Sequence, residues 1–167
     1  MTCLRDEGYA VEWRVINAAE YGYQQRRRRT FIFAYKSDTH YCREIDAKTA
    51  YYAEGSIEEK RISMQKAIIN VGFFATMFPV YDVDLKKLRI KELPEEIGEL
   101  SESFSFGFEN AGIMKDGIIY TVKTIPEYDG KQMTLGDIME TEPVDEQYFI
   151  PLEKLYWKEP NCVPDTF

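Results

Sequence analysis

The sequence predicts an α/β fold: a piece of an α/β sheet over residues 1–37, then a linker and a small mixed α/β region over residues 38–167. Three observations lead there. Two stretches, residues 10–16 and 30–35, read as strands that want burial. The polar loop between them carries four consecutive arginines, Arg26, Arg27, Arg28 and Arg29. Charge then changes sign: residues 1–36 hold seven basic and four acidic side chains, net +3, and the remaining 131 residues hold 14 and 25, net −11. The changeover follows Lys36, where Ser37-Asp38-Thr39 reads as a turn, and the main boundary is placed there.

In chain order, residues 1–7 read as the end of a helix stopped by Gly8. Ala10-Val11-Glu12-Trp13-Arg14-Val15-Ile16 alternates and is β-branched, as a strand requires. Thr30-Phe31-Ile32-Phe33-Ala34-Tyr35 is nearly continuous in apolar character, the pattern of a strand covered on both faces. His40 and Cys42, two apart, fit one face of a strand and read as surface or packing groups. Ser56-Ile57-Glu58-Glu59 is a capping box that opens a helix with the stripe Ile57, Met64, Ile68, Val71, Ala75. Gly72 and Pro79 mark places for it to stop. Five glutamates in residues 92–102 read as solvated surface. Lys115-Asp116-Gly117 between apolar segments is a hairpin signal, with residues 118–125 as the following strand. Thr134-Leu135-Gly136-Asp137 opens a short helix, and residues 151–157 read as another.

With 44% apolar and 14% aromatic residues in 167, the chain is expected to be globular and to need no staples. A net charge of −8 argues against a generic protein that coats nucleic acid and leaves room for a local basic patch. No apolar run reaches the length of a membrane span, and the charged start Met1-Thr2-Cys3-Leu4-Arg5-Asp6-Glu7 is unlike a signal peptide. Three scattered cysteines fit a reducing compartment, so the expectation is a soluble, cytoplasmic protein with no membrane partner. One histidine and no paired cysteine motif argue against a metal site.

The arginine run carries the candidate chemistry. Flanking strands would hold it at a sheet end, where open α/β sheets bind ligands. In an extended segment, side chains at i and i+2 share a face, so Arg27 and Arg29 should project together with Gln25 beside them, and Arg26 and Arg28 elsewhere. Two guanidinium forks on one face suit phosphates and a base carbonyl.

The words Gly8-Tyr9-Ala10-Val11 and then Ile16-Asn17-Ala18-Ala19-Glu20-Tyr21-Gly22-Tyr23-Gln24-Gln25-Arg26-Arg27-Arg28-Arg29-Thr30-Phe31-Ile32 closely resemble one block of the cytosine-5 DNA methyltransferases. The family's pattern is Tyr-Gly, a usual proline, then Gln-x-Arg-x-Arg running into an apolar strand. Gln25, Arg27 and Arg29 fall on its polar positions, and Gln24 stands where the family usually has proline. The resemblance implies that residues 1–37 are the last strands of a Rossmann-like methyltransferase sheet. It further implies that Arg29 contacts a flipped cytosine, that Arg27 supports phosphate or the catalytic loop, and that Gln25 binds DNA. Phe108-Glu109-Asn110-Ala111-Gly112 and Thr134-Leu135-Gly136-Asp137-Ile138 look like words from the target-recognition region of a bacterial subgroup.

The same resemblance implies double-stranded DNA as partner and S-adenosyl-L-methionine as methyl donor. The family's donor site, its Pro-Cys nucleophile and its Glu-Asn-Val word all precede the arginine block, and none is visible here. Cys42 follows Tyr41, Cys162 follows Asn161, and Glu109-Asn110 reads as a polar turn. The chain alone is therefore expected not to methylate DNA. It reads as a fragment of a longer product, or as a subunit that docks with the N-terminal half of the enzyme. The alternative is a non-catalytic DNA-binding or interaction module, a decayed remnant. A docking subunit should bare an apolar patch around Val11, Val15, Phe31 and Phe33, and an independent module should cover those positions.

Overall fold

A computed structural model describes residues 1–95 and 104–151. Four α-helices and five strands are described: α1 (Thr2–Asp6), β1 (Tyr9–Asn17), β2 (Arg28–Lys36), α2 (His40–Thr49), α3 (Ile57–Lys66), α4 (Phe73–Met77), β3 (Arg89–Glu92), β4 (Ala111–Lys115) and β5 (Ile118–Val122). The mixed α/β class is as expected. The strands form one sheet in the order β2-β1-β4-β5-β3, with every neighbouring pair antiparallel. Strands from both sides of residue 37 thus share a single ladder. Residues 1–134 make one compact unit. In the unit that begins at Leu135, the described residues hold two single 3-10 turns, Leu135–Asp137 and Glu146–Tyr148.

Local chemistry sets several boundaries. Gly8 follows α1 at φ +73°, a left-handed conformation suited to glycine. Ser56 caps α3, and Glu59 reaches back to the Ser56 amide, which completes the capping box. Asp116 and Gly117 both have positive φ (48° and 77°), the geometry of a two-residue hairpin turn between β4 and β5.

Period-two alternation gives the sheet two apolar faces. On one, Ile113, Tyr120, Ala111 and Val122 pack under Ile45, Met64, Ile68 and Ile69 from the helical side. On the other, Val11, Trp13, Met114 and Ile119 meet Leu93, Leu4, Phe104 and Phe106. Gly112 lets the Trp13 ring lie on β4, since a Cβ there would sit 2.1 Å from Trp13 Cζ2.

Three expectations differ from the structure. Residues 40–49 are helical, with Thr39 as cap, so His40 and Cys42 point in different directions: Cys42 is buried and the His40 side chain is exposed. The helix from Ser56 is not one continuous stripe. It passes through a π-helical turn, Ala67–Val71, ends at Gly72, and leaves Ile57 exposed. Finally, β2 is not covered on both faces: Phe31 is 46% and Ile32 66% exposed, while Val11 on β1 is buried. The reason is position, because β2 pairs only with β1 among the described residues and is an edge strand. The expected helix at 151–157 and most of the glutamate-rich stretch lie outside the described residues.

Candidate functional site

The arginine block leaves the sheet and returns to it within one ladder. Asn17 ends β1 and its side-chain oxygen accepts from the Ala19 amide at 3.4 Å, starting a 3-10 turn, Ala18–Tyr21. Gly22 reverses the chain at φ +85°. The Arg27 amide donates to the Gln25 carbonyl at 3.1 Å, and the Ala18 amide donates to the Arg27 carbonyl at 3.2 Å. The loop is thereby closed one residue before Arg28 pairs with Asn17. Register then places Arg29 opposite Ile16 and Phe31 opposite Arg14, on the helical side of the sheet.

Arg27 and Arg29 line one groove of about 280 Å³ together with Tyr21, Tyr23, Phe31 and Phe78. Phe78 forms its wall, with the Tyr21 ring edge-on at 5.3 Å and the Phe31 ring stacked at 6.4 Å. Neither arginine has an ion-pair partner among the described residues; Arg29 Nη1 donates to the neighbouring Arg28 carbonyl at 2.8 Å. Arg28 lies on the other side of the ribbon, in a cavity of about 540 Å³ with Glu20, Glu109, Asn110 and Lys123. Gln25 is exposed in the loop and does not line the groove.

The wall is held from beneath by two buried charges on β1. Arg14 donates to the Ile68 carbonyl at 2.5 Å and to the Phe78 carbonyl at 3.3 Å. Glu12 accepts from the Tyr41 hydroxyl at 3.4 Å and lies beside the backbone of Phe73 and Phe74 at the start of α4. Burial pushes the Glu12 carboxyl above the usual glutamate range and pulls the Arg14 guanidinium below its own. The Tyr21 hydroxyl, raised by burial, donates to the Pro79 carbonyl at 3.2 Å. The residues that sequence reasoning missed are thus Tyr21, Phe78 and Arg14. Tyr21 stood in the Tyr-Gly word of the block, whereas Phe78 and Arg14 meet the groove only through long-range packing.

The other candidates are placed elsewhere. Asn110 extends the β4–β5 ladder through its amide, which accepts from the Thr124 amide at 2.7 Å and donates to the Thr124 carbonyl at 2.9 Å. Cys42 is buried against the Lys115 ammonium, and burial pushes its thiol up, the opposite of what a nucleophile needs. The strand-to-helix turn between β2 and α2 is Ser37-Asp38-Thr39, without glycine, and Thr39 spends its side chain on capping α2. It does not fit a Gly-rich cradle for S-adenosyl-L-methionine. Among the described residues no group of three or more His, Cys, Asp or Glu could hold a metal ion, and no helix is long and apolar enough to cross a membrane.

Two guanidiniums with no ion-pair partner among the described residues thus share one groove with the rings of Tyr21, Phe31 and Phe78, in a mixed α/β fold. The chain belongs to the C-5 cytosine-specific DNA methylases, whose family profile matches residues 1–150. It is similar to the Type II methyltransferase M.Sau3AI of Staphylococcus aureus, with 39% identity over 171 aligned positions. That alignment takes in 99% of this chain and 38% of the relative, so the chain spans about two-fifths of the relative's length. No solved structure matches.

Proposed function

We propose that this chain is the base-holding, C-terminal-side part of a DNA (cytosine-5-)-methyltransferase. It binds double-stranded DNA and helps hold the flipped cytosine, and methyl transfer from S-adenosyl-L-methionine requires the part that carries the nucleophile and the donor site. The observation that carries this reading is the shared groove of Arg27 and Arg29, both without acidic partners among the described residues, inside the Gln-x-Arg-x-Arg block. A stacked base cannot be reached by an enzyme, so the ring must leave the duplex and be met by aligned donors. Arg29 supplies those donors to the cytosine, Arg27 supports phosphate or the catalytic loop, and Gln25 meets the DNA from the exposed loop. In this reading residues 1–37 complete the catalytic domain, and residues 38–167 carry the linker and the target-recognition region. The edge of β2 that has no strand partner among the described residues, with Phe31 and Ile32 bared on its two faces, takes the N-terminal half of the enzyme. The relative's designation favours a role in restriction–modification.

The test is transfer of labelled methyl groups to duplex DNA by this chain combined with the N-terminal half. Arg29→Ala should lower kcat on the order of 10²–10³-fold, as loss of one aligned donor does elsewhere. Arg27→Ala should weaken DNA affinity and reduce its salt slope by about one phosphate contact. Unchanged methylation by Arg29→Ala would reject the reading, and DNA binding without methylation in any combination would leave a binding module.

A further inference from the structure

The segment that follows β5 crosses the arginine loop as a strap. Its first residues bond to the far side of the groove: the Tyr81 amide donates to the Ile125 carbonyl and the Glu127 amide to the Pro79 carbonyl, both at 3.0 Å. Its last residues bond to the loop itself, where the Met133 amide donates to the Gly22 carbonyl at 2.8 Å. Between these ties lies Tyr128. Its ring tip is wedged between two glycines, for a Cβ at Gly22 would come 2.3 Å from the phenol oxygen and one at Gly130 2.4 Å. The phenol donates to the Lys131 carbonyl at 3.1 Å, which folds the strap over the ring.

We propose that Tyr128 is a positioning residue for the arginine block: clamped between Gly22 and Gly130, it fixes the turn from which Arg27 and Arg29 are presented. Gly22 is the pivot of a loop whose own amide-to-carbonyl bonds run from Ala18 to Arg27, from Gly22 and Tyr23 to Ala18, and from Arg27 to Gln25. The strap adds an outside hold, through an aromatic side chain with two torsions to lock and little entropy to lose. It also ties the loop to Pro79, next to the Phe78 wall, so both sides of the groove share one fastening. What the positioned arginines do rests on the function proposed above; that Tyr128 holds the turn does not.

The four arginines are themselves a reporter, because trypsin cuts after each of them when the loop opens. In Tyr128→Ala, cleavage within residues 26–29 should be roughly tenfold faster, with cleavage at Lys86 and Lys87 at the parental rate. Tyr128→Phe keeps the ring and should restore protection to within about twofold. Gly130→Ala, which expels the ring from the other side, should reproduce the fast cleavage. Parental cleavage in both Tyr128→Ala and Gly130→Ala overturns the proposal, and so does an equal acceleration at every site, which marks general loosening. In the combined enzyme Tyr128→Ala should lower kcat more than it raises KM for DNA. If Arg29→Ala leaves methylation intact, the functional reading fails while the trypsin result stands. If Arg29→Ala abolishes methylation and Tyr128→Ala changes neither protection nor kcat, the positioning role alone is wrong.

Discussion

Glu12 and Arg14 stand two apart on one face of β1, and both leave solvent, at 4% and 2% exposure. Burying a charge is expensive unless it finds hydrogen-bond partners, and these two find theirs in the Tyr41 hydroxyl and in the carbonyls of Ile68 and Phe78. Because Glu12 titrates above 4.5 in the folded chain, the native state holds its proton more tightly than the unfolded state does. Its favourable contribution is fully present below pH 4.5 and is lost as pH rises through the raised folded value. Glu12→Gln removes that dependence. The melting temperature of the variant relative to the parent should therefore increase between pH 4.5 and pH 7, and a constant difference would show that Glu12 is not protonated more readily in the fold. Nothing in the alternating pattern of residues 10–16 announces this, since polar residues at every second position read as a solvent face. Arg27 and Arg29 are the opposite case. Their common face follows from a spacing of two, and they line one groove.

Elements whose ends are set by local chemistry were legible, and those set by distant partners were not. Ser56 and Glu59 satisfy each other's amides at the start of α3, as the spacing alone implies. Ser56→Ala should cost about 1 kcal/mol, read as a fall in thermal midpoint with α3 otherwise intact. Asp116-Gly117 and Gly8 are legible for the same reason, each being a place where backbone conformation selects the residue. α2 escaped because its buried side is narrow, only Cys42, Ile45 and Thr49, on a helix rich in charge. The bulge at residues 67–71 escaped because a π-helical turn shifts the phase of the stripe without altering its composition. The groove wall shows the limit most plainly. Pro79 is visible as a stop, but that the preceding Phe78 would stack on Phe31 depends on a contact across 47 positions of chain.

For the molecule as a whole, the α/β class was legible and the strand order was not. β1 chooses β4 as its inner neighbour, so Arg14 pairs with Ala111, and no periodicity encodes that choice. The outer edge of β2 has the larger practical effect. A long apolar edge strand is a template for pairing with other chains. The isolated chain should therefore sediment with a concentration-dependent rise in mass, and Ile32→Lys, which places a charge on the bared edge, should keep it monomeric. Equal behaviour of the two would show that the edge is not what associates. The order β2-β1-β4-β5-β3 also imposes a schedule on synthesis. β1 and β2 emerge from the ribosome together, but β4 starts at Ala111, about 75 residues after Lys36. At roughly 5–20 residues per second the first hairpin waits some seconds with its inner edge unmatched. The nascent chain is most exposed to wrong pairing, and most in need of a chaperone, during translation of its helical middle.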